Sequence, residues 1–456
     1  MAGLTGQLDA SIVQLILPTL EHEFGARLSA MSWVAVAYTL ASASSLPVLA
    51  RLAAVTGRKR MFLGGFLLFM LASALCGLAA DLTQLIAFRT LQGIGGAMLA
   101  ANSLVILIGA AGPSRQGRAI GIFAEIQAVG VTAGPAVGGV LLAALSWRWV
   151  FWVNVPLAFA AAAIGWFVIP RTTDLSVDLR FDWKGAVLVV PALIFLLIAI
   201  SESYVWGSTS PAIIGSAVAA ALLLSAFIWQ EGRVSAPLIG LDLFRITAFA
   251  SGVVATVFAY VMLYGMFFLM SFALVRGCQD PPLAAGLRLA IIPAALGVVA
   301  PFTGGLQDRF GERALLLGGM TICAVALILL SAVLTGGAAS LAGIMMALAL
   351  YGAGLGLFIA PNNNSTMSAA PGHRSSEASG LLHLSRGLGT SLGIAGASAV
   401  LSWRLAELTG IGDRTLGVSE QAVLRAVNKV LPLLVAAAVG AGLTAMLRAP
   451  PRLRKY

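Results

Sequence analysis

The chain has 456 residues, enough for about three soluble domains, yet only 10% of it is Asp, Glu, Lys or Arg, 59% is apolar and its mean hydropathy is +0.96. Soluble proteins carry about 25% charged residues, so this composition disfavours a soluble enzyme, a disordered chain and a secreted disulfide scaffold, and indicates a polytopic membrane protein. The net charge of +10 admits a nucleic acid, an anionic membrane or an anionic substrate as its cause, so its placement along the chain has to decide.

A membrane-spanning helix needs about 20 mostly apolar residues. Fourteen such runs follow one another, at 2–20, 31–50, 61–80, 83–108, 119–144, 150–169, 185–204, 211–229, 248–274, 283–305, 314–335, 340–361, 376–402 and 427–447. The short alternating segments of a barrel are absent, so each run reads as a helix. Two charged breaks, 171–184 and 230–247, bracket one helix pair. They divide the chain into an N-terminal six-helix bundle (1–170), a central two-helix insertion with its flanking loops (171–247) and a C-terminal six-helix bundle with a basic tail (248–456). Met1 to Leu8 lacks a charged leader region, and Cys76, Cys278 and Cys323 stand at unrelated spacings that give neither a metal site nor a disulfide framework.

With the N-terminus inside, 18 of the 28 basic residues fall in cytoplasmic segments, 8 fall on the opposite side, and Arg89 and Arg386 lie within helices. The positive-inside rule therefore puts both termini in the cytoplasm, as an even helix count also requires. The basic excess is thus a topology signal and not a nucleic-acid signature.

Two of the cytoplasmic turns repeat each other. Placing Leu52 on Leu306 sets Gly57 on Gly311 and Lys59 on Arg313, each between the second and third helices of its six-helix half. Glycine permits a tight turn there, and basic side chains can bind helix C-terminal carbonyls and lipid headgroups. The later turn contains Gly304, Leu306, Asp308, Arg309, Gly311 and Arg313. Further patterns are Leu8-Asp9 to Pro18 in helix 1, Arg89 to Ala97 in helix 4, Gly130, Gly134, Pro135, Gly138 and Gly139 in helix 5, Trp147 to Pro156 at the start of helix 6, and Pro361 to Asn364.

Together these motifs resemble the major facilitator superfamily, specifically its fourteen-helix drug:proton antiporter branch, over nearly the whole chain. The resemblance implies an all-α fold of 14 helices arranged 6 + 2 + 6, located in the plasma membrane. It also implies gating roles for Gly57, Arg58, Lys59, Gly304, Asp308, Arg309, Gly311 and Arg313, and an antiporter motif at Gly130, Gly134, Pro135, Gly138 and Gly139. The first loop departs from the pattern, with Ala54 in place of its acidic residue. Only eight residues precede Asp9, so either helix 1 is short or translation starts upstream.

A charge at a helix centre costs roughly 2.5 to 3.5 kcal/mol, so each one needs a reason. Asp9, about 10 Å into helix 1 from the cytoplasmic end, and Arg89, about 9 Å below the outer surface in helix 4, are proton-coupling candidates. So are Glu125, at a depth similar to Asp9, and Arg386 with His383 one turn away. Their alternatives are a wet vestibule, a snorkelling carboxylate, pairing to backbone carbonyls and a packed histidine. Trp33, Tyr38, Met262, Tyr264, Met266 and Phe358 are candidates for a pliable substrate surface, with core packing as the alternative. Glu202 and Glu377, at helix ends, read as solvated.

The expected function is secondary active export of amphipathic, cationic or neutral toxic compounds in exchange for protons, by a monomer that uses no cofactor beyond the proton gradient. No phosphate-binding loop or metalloprotease motif is present, so an ATPase or a membrane enzyme is disfavoured. A dedicated exporter of one metabolite, or an importer, stays open.

Overall fold

The computed structural model describes residues 1–112, 115–170, 182–234, 240–334, 341–371, 374–410 and 412–448. Most of the break at 171–184, and the basic tail beyond Arg448, lie outside these residues. The described chain is helical throughout its long elements: α1 (Ala2–Phe24), α2 (Leu28–Thr56), α3 (Arg58–Leu78), α4 (Leu82–Ala111), α5 (Gln116–Ala144), α6 (Trp149–Val168), α7 (Trp183–Ser201), α8 (Pro211–Glu231), α9 (Thr247–Gly277), α10 (Pro282–Phe310), α11 (Glu312–Val333), α12 (Leu341–Ala369), α13 (Ser375–Thr409) and α14 (Glu420–Met446).

Twelve of these are long and apolar enough to cross a membrane; α1 and α13 fall short because of their polar residues. In α1 those residues point inward, for Thr5, Asp9, Ser11 and Gln14 are all buried. Several helices outrun their apolar stretch. The α1 helix continues past Leu20 to Phe24, and α12 continues through Pro361 to Ala369, where buried Asn362 and Thr366 supply hydrogen bonds that lipid does not. By contrast α10 is segmented, with breaks at Ala290 and Ala300 close to Pro293 and Pro301. Proline takes one bond out of the helical ladder and bends it.

In the first part of the chain α2, α3 and α4 pack on one another and α1 lies along α5. In the last part α9 packs against α12, α13 and α14, while α12 also meets α10 and α11. The α7–α8 pair packs on itself and touches α2 and α13 through α7. The first and last groups meet where α2 packs on α13, α5 on α10, and α1 on α9 and the start of α10.

Glycine makes two of these contacts possible. A Cβ on Gly134 would sit 1.9 Å from Ser11 Oγ of α1, and one on Gly286 of α10 would sit 2.2 Å from the Pro135 carbonyl of α5. Backbones therefore touch directly along α5, which gains the close dispersion contacts available when lipid leaves no hydrophobic drive between helices. Gly130 and Gly138 continue the same face against α1, and Gly139 continues it against α10.

The two related turns have closely similar backbones. Gly57 (φ 101°, ψ 126°) joins α2 to α3 and Gly311 (φ 82°, ψ 155°) joins α10 to α11. This region is essentially restricted to glycine and costs other residues about 1–3 kcal/mol. Gly57→Ala and Gly311→Ala are each expected to destabilise the protein by that amount, seen as a lowered thermal unfolding midpoint in detergent micelles. Gly109→Ala, at normal helical φ with open space around it, is the neutral control.

Candidate functional site

Two of the most deeply buried charges come together. Asp9 is 0% and Arg89 1% exposed, and Arg89 Nη1 lies 2.6 Å from Asp9 Oδ2. Gln92 Nε2 and Asn154 Nδ2 each donate to Asp9 Oδ1 at 2.9 Å, and Gln92 also donates to Ser73 Oγ. Arg89 in turn donates to the Val34 carbonyl and to Gln92 Oε1. Side chains of α4 and α6 thus converge on the α1 carboxylate, with Ser73 of α3 and the Val34 carbonyl of α2 behind them.

The contact corrects the separate depths read for Asp9 and Arg89, which placed them near opposite faces. Counting rise along each helix ignores how helices slide past one another, and the ion pair sets both groups at one level. The guanidinium also lies 4.4 Å from the Tyr38 ring centroid.

Tyr38 also lines a cavity of about 130 Å³. Its walls come from α1, α2, α4, α5, α9 and α13, and so from both ends of the chain. Small residues such as Gly3, Gly6, Ala10 and Gly387 make the space, Gln7, Thr39, Gln127 and Thr390 make it polar, and Tyr260, Tyr264, His383 and Arg386 complete it. Beside it, Thr39 of α2 and Ser391 of α13 share a hydrogen bond between their hydroxyls.

Of the expected substrate surface, Tyr38 and Tyr264 line the cavity. Met262, Met266 and Phe358 do not: each is fully buried in the main apolar core, because α9 and α12 are enclosed by neighbouring helices at those turns. Trp33 is also elsewhere, donating through Nε1 to Glu202 Oε1 at 3.2 Å and tying α2 to the segment after α7. Glu202 is accordingly half-buried and not solvated, and burial pushes its carboxyl above the ordinary range against the opposing pull of the Trp33 hydrogen bond. Glu377 is exposed and accepts from Arg374. Glu125 is exposed on α5, apart from the Asp9 cluster. His383 and Arg386 belong to the cavity and not to that cluster.

In the turns, Lys59 Nζ donates to the Trp166 and Ile169 carbonyls, capping the end of α6. Arg58 is half-buried, whereas Gly304, Asp308, Arg309 and Arg313 are exposed. Beside the second turn, buried Arg448 contacts Glu312, Ser365 and Asn362, which gives the Pro361–Asn362 motif a physical role. At the far end of the bundle a set of contacts absent from the sequence reading closes the structure. Glu21 of α1 accepts from the Thr415 backbone and hydroxyl, Asp413 accepts from Ser29 and Ser402, and Arg276 donates to the Pro18 carbonyl. Among the described residues no group of three or more His, Cys, Asp or Glu side chains is placed to hold a metal.

A sequence profile of the Major Facilitator Superfamily matches residues 1–394. The chain belongs to that superfamily. It is a transporter and not an enzyme. The multidrug resistance protein Stp of Mycobacterium tuberculosis is 33% identical over 404 residues, covering 88% of this chain and 74% of that relative. The tetracenomycin C resistance and export protein of Streptomyces glaucescens is 28% identical over 91% of this chain and 79% of its own length. The riboflavin transporter RibZ of Clostridioides difficile is 29% identical over 85% and 83%. Among solved structures, a bacterial homologue of the lysosomal transporter Spinster in an inward-facing state superposes with TM-score 0.69 at 15% identity, covering 99% of this chain and 97% of that one. An auto-inhibited peptide transporter of the POT family superposes with TM-score 0.68 at 17% identity, over 100% and 97%. Both share the superfamily fold.

Removing one member of a buried ion pair costs about 3–5 kcal/mol, whereas replacing both by apolar groups is often neutral. Asp9→Leu is therefore expected to destabilise the protein by that amount and Asp9→Leu/Arg89→Leu by much less, measured by thermal unfolding in micelles. A second expectation concerns Glu202. Because its folded carboxyl titrates above the ordinary 4.5, its stabilising contribution is complete below that pH and is lost as pH rises through the folded value. Glu202→Gln should remove this downward slope in unfolding midpoint against pH.

Proposed function

We propose that this superfamily member is a proton-coupled exporter of amphipathic drugs or other toxic small molecules. In this reading it crosses the plasma membrane fourteen times in a 6 + 2 + 6 plan, as a monomer with both termini in the cytoplasm. The observation that carries the proposal is the buried Asp9–Arg89 pair separated from a two-sided cavity by the single ring of Tyr38. The names of the relatives, a multidrug resistance protein and an antibiotic export protein, support the export direction. The riboflavin transporter among them keeps a dedicated metabolite carrier as the second reading.

The geometry supports a sequence of steps. The cavity lies at the helix ends that the basic residues assign to the cytoplasm, while Glu21, Asp413 and Arg276 join the two bundles at the outer ends. Substrate enters from the cytoplasm and rests against Tyr38. Rocking of the bundles about the α2–α13 and α5–α10 contacts breaks the outer bonds, each worth roughly 1.5–3 kcal/mol because one partner is charged, and closes the inner end. Protonation of Asp9 from outside frees Arg89, repacks it against Tyr38 and releases substrate. Deprotonation to the cytoplasm re-forms the ion pair and resets the cycle.

The test is transport in proteoliposomes of purified protein under an imposed pH gradient, with several chemically unrelated amphipathic substrates. Gradient-dependent movement of more than one is expected for the wild type, and Asp9→Asn should abolish the dependence on the gradient. Movement indifferent to the gradient, or unaltered in Asp9→Asn, overturns the coupling. Movement of one compound alone favours the dedicated carrier.

A further inference from the structure

Arg386 is a half-buried cation with no acidic partner among the described residues. Its Nε is enclosed and has no hydrogen-bond partner among the described residues, and its nearest charge-stabilising neighbour is the Tyr260 ring, 5.9 Å from the guanidinium carbon. The rest of the guanidinium reaches the cavity, where its remaining donors are open to an incoming acceptor. The side chain lines the cavity, and His383 lines it one helical turn away. The described lining contains no carboxylate. Asp9 is fully committed to Arg89, Gln92 and Asn154. Glu125 sits at helical spacing with exposed Ile122 and Val129, whereas Phe123 and Gln127 form the wall. A cationic compound entering this space therefore meets positive charge and no neutralising group.

We infer that the cavity selects planar aromatic anions, compounds carrying a carboxylate or phenolate, with Arg386 as the anion-binding residue. The inference rests on the export reading above and narrows it. The guanidinium fork matches a carboxylate through two parallel hydrogen bonds. Tyr260 and Tyr264, with ring centroids 6.3 Å apart and planes 17° from parallel, both line the cavity and give the aromatic body a π surface to pack on. This reverses the charge preference drawn from composition and motifs alone.

Two dyes with the same xanthene nucleus and opposite charge test it: fluorescein, an anion at neutral pH, and rhodamine 123, a cation. Each is titrated against full-length protein in lipid nanodiscs by fluorescence anisotropy, and each is loaded in the proteoliposome assay. The wild type is expected to bind fluorescein at least about tenfold more tightly than rhodamine 123. Arg386→Gln should erase that preference and Arg386→Lys should keep part of it. The wild-type comparison stands even where a variant fails to fold. Rhodamine 123 bound and transported as well as fluorescein, or better, overturns the anion preference and leaves the export reading in place. Neither dye bound nor moved by monodisperse protein overturns both.

Discussion

A carboxylate and a guanidinium buried together in a membrane protein impose demands on everything around them. Neither water nor lipid can satisfy their remaining lone pairs and protons, so the neighbouring helices must. Here α3, α4 and α6 supply Ser73, Gln92 and Asn154, and α2 offers the Val34 carbonyl. Arg89, Gln92 and Asn154 reach Asp9 only if α1 is held deep among them, and the glycine face of α5 lets α1 approach to backbone contact. The small residues of α5 and the polar cluster are two parts of one constraint.

The same dependence explains why the cavity lies where it does. Large side chains fill α9 between Met262 and Phe272 and seal the interior towards that end of the bundle. Towards the opposite end, Gly3, Gly6 and Gly96 leave room that Tyr38 only partly takes up. The tyrosine is shared, its ring against Arg89 and its edge on the cavity wall, so the cavity and the charged cluster have one side chain in common.

Much of this was legible in the sequence, and the misses have physical causes. Helix positions follow from apolar runs because lipid forces backbone hydrogen bonding, but helix ends do not, since α1 and α12 run on through polar residues satisfied by tertiary partners. Asp9 and Arg89 stood out as charges in apolar surroundings. Their pairing did not, because distance along a helix axis carries no information about the relative sliding of two helices. Gln92 and Asn154 lay inside recognised motifs, yet an uncharged amide in a helix gives no sign of its partner. Met262, Met266 and Phe358 failed as surface candidates because type alone does not tell which face of a wholly apolar helix meets a cavity. Glu21, Asp413 and Arg276 sit near helix ends, where charge is ordinary, and only the fold shows that they join across hundreds of residues.

The paired glycines Gly57 and Gly311 separate what the two turns have in common from what they do not. The second turn carries Asp308 where the first has Ala54, and Lys59 of the first caps α6 where the equivalent Arg313 is exposed. Yet the two backbones bend alike. Charge at each turn therefore answers to the neighbour it meets, whereas the chain reversal answers only to torsion angles that glycine alone adopts freely. The likeness of the two halves is written more plainly in backbone angles than in side chains.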